Sequence, residues 1–519
     1  MNFNINDKKE LILITLISTA LAAYYINFNM HLGIYCSDVY VYLLNALYFA
    51  GTNVHSTKSI YLSPVICFLT SLLFDLGFVD KVSIFIVTGI FAIIGNIGLY
   101  LLLKLRFDNM LSLTGTVIFS TFSLNLTWLA NGSLDIPAVA LSIWMVYFLF
   151  LALMKNPKYY IPAFALFAIG FFTRYSVIII LPALALCFLY YNSFEIKKSD
   201  LKYILIGLAL AILISAVFLN TISSMGDGYL GFDSQLQGGI NGQTGSTSDN
   251  AYNPDILYYL VNMPNFISSS DTTFVGKNPS LNTPTVLSLL IFLILIAGTI
   301  LWVKRTEFEF DRKKIIGLAL CFIALATFHH FSSVITITLV CLGLYLIGKD
   351  SENKMGLFML SWFLVYFIYM SYISIKVNRY IIPALPALTY FLMVAVSEIN
   401  EKLSRKEVLP IILIALFLIQ GFTFALTFED TSEFRAPEEM SDYIKANIDN
   451  WSQIKIGNYN IRPYYWYLGQ NSPGIERGNT QKIIESDVSY YISNVKQKNL
   501  TNFTEIKEID GLYLYKRTS

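Results

Sequence analysis

Four charged side chains interrupt otherwise apolar sequence and could do chemistry together. Asp38 stands in YCSDVYVYLLNALYFAG, Asp135 in NGSLDIPAVALSIW, Arg174 in AIGFFTRYSVIIILP, and Arg379, followed by Tyr380, in SIKVNRYIIPALPALTYF. A carboxylate can take a proton from a hydroxyl, and a guanidinium binds phosphate oxygens through paired hydrogen bonds. Two acids and two arginines from distant parts of the chain are the inventory of a site that removes a proton on one side and holds a phosphate on the other.

Each member also has a plainer reading. Asp38 suits a solvated loop acid or a helix N-cap. Asp135 taken alone reads better as a helix start, SLDIP, with Pro137 near the first turn. Arg379 and Tyr380, with Lys376 one turn earlier, suit an anchor at the membrane surface. Arg174 is harder to dismiss, because it interrupts an apolar stretch where a cation asks for an anionic partner. His329 and His330, in ATFHHFSSV, are further candidates, but adjacent residues point in different directions from a helix and no HExxH or cysteine cluster accompanies them. Tyr61, in the first long loop, is another candidate, and no metal ligands are assigned.

The elements that must position these residues are membrane spans. The chain has 519 residues, 55% of them hydrophobic and 14% charged, and apolar runs near the twenty residues needed to cross a bilayer recur along most of it. Thirteen candidate segments fall at about 11–28, 82–103, 109–130, 136–154, 159–172, 175–191, 203–221, 285–303, 315–330, 331–347, 356–375, 381–398 and 409–427. Those at 159–172 and 315–330 are short, so each is expected to form a broken or re-entrant hairpin with its successor. The expected class is mostly α, a polytopic membrane domain over 1–427 and a small outer α/β domain over 428–519.

Loop charge sets the expected orientation. With the N-terminus in the cytoplasm, nineteen Lys and Arg residues fall on the inner side and six on the outer side, leaving out the tail, which is the bias that membrane insertion favours. All four charged residues then fall at the outer face, and the C-terminal domain is extracytoplasmic. The first segment follows NDKKE without a small-residue cleavage site and reads as a retained anchor. A net charge of +1 argues against nucleic acid as a partner, since no basic face is concentrated enough to release many counterions.

Two long outer loops stand out. In 29–81, VYLLNALYFA and YLSPVICFLTSLLFDLGF read as short helices lying along the interface. The loop 222–284 is rich in Gly, Ser, Asn and Asp and reads as a mobile segment on the substrate side. The tail reads as an amphipathic helix over 437–449, a short strand QIKIGN, an aromatic helix, and two strands joined at the DG of FTEIKEIDGLYLYKR; it is too small to hold much chemistry of its own. Cys36 and Cys67 share an outer loop, with no spacing that demands a bridge. Sequons fall at Asn131, Asn450, Asn499 and Asn502.

The order of these pieces resembles the GT-C glycosyltransferases of the dolichyl-phosphate-mannose protein mannosyltransferase type, a group that includes the aminoarabinose transferase of lipid A. The likeness covers about residues 10–400. It rests on SDVYVYLLNALYFAG after the first span, YLSPVICFLTSLLF with Pro64, SLDIPAVALSIWMVYFLFLAL, AIGFFTRYSVIIILP, and NRYIIPALPAL before the penultimate span. It implies a GT-C arrangement of the spans and transfer of a sugar from a polyprenyl (dolichyl) phosphate carrier to an acceptor on the outer face. By the same likeness Asp38 would be the general base, and Arg379, Tyr380 and Arg174 would hold the carrier phosphate. Asp135 would help to position the substrate, and loop 222–284 could close over it. A single displacement of this kind inverts the anomeric centre.

This sequence departs from the pattern in carrying one acid at Asp38 where relatives often have two, and Arg174 where Lys is common. No cofactor is required by this reading, and a lone Asp gives no support for a divalent cation. The absence of a WWDYG-like motif argues against the oligosaccharyltransferase branch. A transporter or flippase of a lipid-linked sugar, or a surface-polysaccharide polymerase or ligase, could use the same groups. The lack of an internal repeat weighs against the transporter. The sequence leaves open the sugar and whether the acceptor is a protein, a lipid or a glycan.

Overall fold

The computed structural model describes residues 5–52, 63–192, 197–223, 253–275, 278–306, 311–328, 330–349, 351–429, 431–469, 472–475, 480–497 and 499–518. Tyr61, His329 and the 224–252 part of the second long loop lie outside the described residues.

Among the described residues, eight helices are long and apolar enough to cross a membrane: Lys8–Leu32, Lys81–Leu103, Asp135–Met154, Lys198–Ser223, Val286–Arg305, Lys354–Tyr372, Asn378–Asn400 and Val408–Thr427. The first packs on Lys81–Leu103, which packs on Asp135–Met154, and that in turn on Tyr160–Thr173. The other five of the thirteen expected segments form shorter helices. The run 109–130 breaks after Asn109–Ser120, where Asn125 Nδ2 donates to the Phe119 carbonyl at 2.5 Å and satisfies an oxygen that a continuing helix would have used. Arg174, in extended backbone at φ −156°, separates Tyr160–Thr173 from the turn that follows. Arg312–Ala326 and Ser333–Gly348 pack on each other as a hairpin of two helices.

Two breaks share one design. Arg174-Tyr175 and Arg379-Tyr380 each open a 3-10 segment, Tyr175–Ile180 and Asn378–Ala384. Each segment leads into an α-helix beginning Leu-Pro-Ala-Leu, at 181–184 and 385–388. Proline suits the first turn of a helix, where its missing N–H is not needed, and restrains the residue before it. The two arginines are thereby delivered at equivalent places, just before a helix starts.

The first long loop supplies helices Ser37–Phe49 and Pro64–Asp75, as the sequence suggests, and Phe68, Leu72, Leu76, Phe78 and Val79 expose apolar surface along it. In the second, a hairpin of β1 (Thr272–Val275) and β2 (Asn278–Leu281) bridges from Thr272 to Phe428. The tail carries helices Ala436–Asn447 and Ile461–Leu468 and a sheet of β3 (Ile456–Asn458), β4 (Tyr490–Ser493), β5 (Phe503–Ile509) and β6 (Leu512–Arg517) in the order β3-β4-β6-β5. Strands β5 and β6 pair antiparallel across Asp510 and Gly511, at φ +44° and +76°, the left-handed pair that a two-residue hairpin turn requires. Strand β4 was not legible in the sequence.

The tail is seated on one end of the bundle. Gly33, at φ +91°, ends the first helix, and a Cβ there would lie 2.7 Å from the Phe434 carbonyl oxygen. Lys81 at the start of its span pairs with Glu438, Trp466 stacks on Phe74 with ring centroids 5.9 Å apart, and Tyr467 meets Tyr40 edge-on.

Candidate active site

The four charged residues singled out in the sequence meet at that end of the bundle. Arg379 Nη2 donates to Asp38 Oδ2 at 3.1 Å, and its Nε lies 3.8 Å from Asp135 Oδ2. Arg174 Nη1 lies 3.1 Å from the same Asp135 oxygen, and its guanidinium sits over the Tyr380 ring, 5.5 Å from the centroid. The chain of contacts runs Asp38, Arg379, Asp135, Arg174, Tyr380.

Neither acid is a helix cap. Asp38 is the second residue of Ser37–Phe49, and Cys36, the N-cap, makes no side-chain cap bond. Asp135 opens Asp135–Met154, but its carboxylate accepts from Ser133 Oγ at 2.6 Å and forms ion pairs with Arg174 Nη1 at 3.1 Å and Arg379 Nε at 3.8 Å. The capping reading of Asp135 thus gives way because two guanidinium groups need its charge more than the helix end does. Both acids remain in first turns, where the helix dipole favours negative charge.

A tight turn brings Asp135 to Asp38. Ala130 and Gly132 adopt φ +52° and +85°, and a Cβ on Gly132 would lie 2.7 Å from Cγ1 of Val39, the neighbour of Asp38. Asn131 Oδ1 accepts from Ser133 N–H at 2.9 Å, and its Nδ2 donates to Tyr35 Oη at 2.7 Å. Asn131 is therefore buried and bonded, and its sequon is not offered for modification in the folded protein. Trp128 Nε1 donates to Asn378 Oδ1 at 3.0 Å, and the Arg379 guanidinium lies 5.0 Å from a Trp128 ring centroid, a cation–π contact that orients it.

One participant was missed. Arg462, in the tail helix, places Nη1 3.4 Å from Asp38 Oδ1 and donates to Ser37 Oγ at 3.2 Å. The tail, expected to hold little chemistry, reaches the site. Two carboxylates and three guanidinium groups leave one positive charge in excess, and that excess suits an anion. The side chains grade from outside inward: Arg462 is 36% exposed, Asp38 29%, Arg379 10% and Asp135 0%. Asp135 Oδ1 and Arg379 Nε are buried without a hydrogen-bond partner among the described residues, and such unsatisfied polar atoms need an explanation in a folded protein. Cys36 Sγ accepts from Arg379 Nη1 at 3.3 Å; burial pushes this thiol up despite that cation, so it stays neutral and adds no charge. Cys36 and Cys67 are both free.

Other candidates lie elsewhere. His330 is exposed in the turn after Arg312–Ala326 and joins none of these contacts. Lys376 turns away, donating to the carbonyls of Met370 at 3.3 Å and Ser371 at 2.7 Å, where it satisfies the end of helix Lys354–Tyr372. Among the described residues no group of three or more His, Cys, Asp or Glu side chains gathers to hold a metal.

Comparison with solved structures places the fold. ArnT from Cupriavidus metallidurans bound to undecaprenyl phosphate superposes with a TM-score of 0.61 at 9% identity, covering 97% of each chain. Its apo state gives 0.57 at 9% identity and the same coverage. The fold is the GT-C membrane fold. Residues 62–219 match the family model described as dolichyl-phosphate-mannose-protein mannosyltransferase, and no curated protein matches the chain. The chain is thus a multi-pass membrane protein similar in fold to ArnT and, over residues 62–219, similar to the mannosyltransferase family, in line with the resemblance of its sequence.

Proposed function

We propose that the protein transfers a sugar from a polyprenyl-phosphate carrier to an acceptor hydroxyl at the extracytoplasmic face, with inversion. The observation that carries this reading is the placement of Asp38 against Arg379, with Asp135 behind, in a cluster with surplus positive charge. Asp38 takes the proton of the acceptor hydroxyl as its oxygen bonds to the anomeric carbon. The bond from that carbon to the carrier phosphate breaks, and Arg379 receives the charge of the departing phosphate. One displacement at one carbon inverts its configuration. Asp135 does not react; it fixes Arg379 and Arg174 in place, and Arg174 in turn orients Tyr380. The likeness to a structure that holds undecaprenyl phosphate supports a lipid carrier of this kind. The lipid bilayer supplies that donor, and a protein, lipid or glycan supplies the hydroxyl.

Mass spectrometry of surface glycans and lipid-linked sugars tests this in cells lacking the gene and in cells carrying Asp38→Asn. Loss of one glycan species with accumulation of its lipid-linked donor is expected in both. Unchanged glycans in both would overturn the reading.

A further inference from the structure

A base must offer a lone pair to the proton that it takes, yet both carboxylate oxygens of Asp38 already face guanidinium groups in the empty site. Its oxygens are divided between two partners, Oδ2 to Arg379 at 3.1 Å and Oδ1 to Arg462 at 3.4 Å. The three groups come from three parts of the chain: a helix of the first long loop, the break before the penultimate span, and the tail. A carboxylate bridging two guanidinium groups occupies the geometry that a phosphate monoanion or diester also satisfies, with two oxygens each accepting from one arginine.

We propose that the carrier phosphate replaces the Asp38 carboxylate between Arg379 and Arg462, so that donor loading frees Asp38 to act as base while the phosphate takes over the link to the tail helix. This rests on the proposed transfer reaction and deepens it by naming Arg462 as a carrier-phosphate ligand supplied by the tail. The gradient of exposure fits. Arg462 and Asp38 are accessible at 36% and 29%, whereas Asp135 has no exposed side-chain surface, so an incoming phosphate meets the outer pair and leaves the inner one as support. Charge fits as well: displacing Asp38 toward solvent leaves Arg379 and Arg462 facing the anion, while Asp135 stays bound to Arg174. The acid that guards the arginines in the empty site then stands beside the acceptor, with its oxygens free. An empty site is accordingly in a low-reactivity state, because its base is occupied until the donor arrives.

The test measures binding of undecaprenyl phosphate, without sugar, to the full chain in nanodiscs, in parallel with inorganic phosphate. Arg462→Ala should weaken undecaprenyl phosphate binding at least about tenfold, as for loss of a charged hydrogen bond, and Arg462→Lys should recover part of it. Asp38→Asn, which cannot compete as an anion, should bind the lipid phosphate as tightly as wild type or more tightly. Inorganic phosphate competing with the lipid would show the same anion site; failure to compete at concentrations far above that of the lipid would overturn an exchange at the phosphate itself. Undiminished binding in Arg462→Ala, or weakened binding in Asp38→Asn, would also overturn the exchange. Because no sugar is transferred in this assay, its failure is separate from failure of the transfer reading, which the glycan analysis decides. Protease resistance of the tail in Arg462→Lys verifies that the tail remains docked.

Discussion

Arg174 Nη1 lies 3.1 Å from Asp135 Oδ2, and the Asp135 side chain has no exposed surface. The pair joins the start of the helix Asp135–Met154 to the break before Tyr175–Ile180, two points 39 residues apart in the sequence. Buried charges of this kind are retained at the cost of desolvation, and breaking one side leaves the other uncompensated.

Asp135→Asn is therefore expected to destabilise the protein by about 3 kcal/mol, the lower end of the range for one broken buried pair, since Arg174 retains some exposure. Thermal unfolding in detergent measures it. A double variant in which Arg174→Gln accompanies Asp135→Asn should recover part of the loss, because the unpaired cation is then gone. Equal stability of Asp135→Asn and wild type would show that the carboxylate is not needed where the structure places it.

Gly132 links the two acids sterically. At φ +85°, with Val39 Cγ1 2.7 Å from where a Cβ would stand, Gly132→Ala is strained both in backbone and in packing. The expected cost is about 1–3 kcal/mol for the backbone conformation alone, with a displacement of helix Ser37–Phe49 and a fall in transfer. Adding Val39→Ala should relieve the packing part only, so that stability and activity recover incompletely.

The tail should be held down by Lys81. Its side chain is 4% exposed and its amine pairs with Glu438, whose side chain is 27% exposed, and the ion pair joins the start of a span to the helix Ala436–Asn447. Lys81→Met is expected to raise hydrogen exchange in 431–447 and across Ile461–Leu468, and to lower affinity for the carrier through Arg462. Hydrogen-exchange mass spectrometry in nanodiscs reads both segments directly. Unchanged exchange would place the hold on the tail in Trp466, Tyr467 and Phe434 alone.

What the sequence made legible follows from the cost of charge in lipid. Asp38, Asp135, Arg174 and Arg379 stand out because each interrupts apolar sequence at a span end, where an ionisable group is expensive. Their convergence could be inferred from a shared side of the membrane. Arg462 carried no such signal, since an arginine in IRPYYWYL of a tail outside the apolar runs is unremarkable, and it is the packing of that helix on Ser37–Phe49 that brings it to Asp38. Likewise Trp128 and Asn131 read as apolar filling and as a sequon, although they orient Arg379 and the turn before Asp135. The repeated Arg-Tyr and Leu-Pro-Ala-Leu at 174–184 and 379–388 was present in the sequence as a usable signal. The break inside 109–130 was not legible because hydropathy does not register a helix end satisfied by one side chain, such as Asn125.

The central claim is that Asp38 is the base of a transfer at this charge cluster. Wild-type protein and Asp38→Asn, reconstituted in liposomes, can be given a polyprenyl-phosphate-linked sugar and an acceptor fraction from the native membrane in a single-turnover assay. The product's anomeric configuration is read by nuclear magnetic resonance. The account predicts an inverted product from wild type and a loss of at least about a hundredfold in rate for Asp38→Asn, the scale of a general base, with carrier binding intact. Transfer by Asp38→Asn at the wild-type rate, or a product with retained configuration, would contradict it.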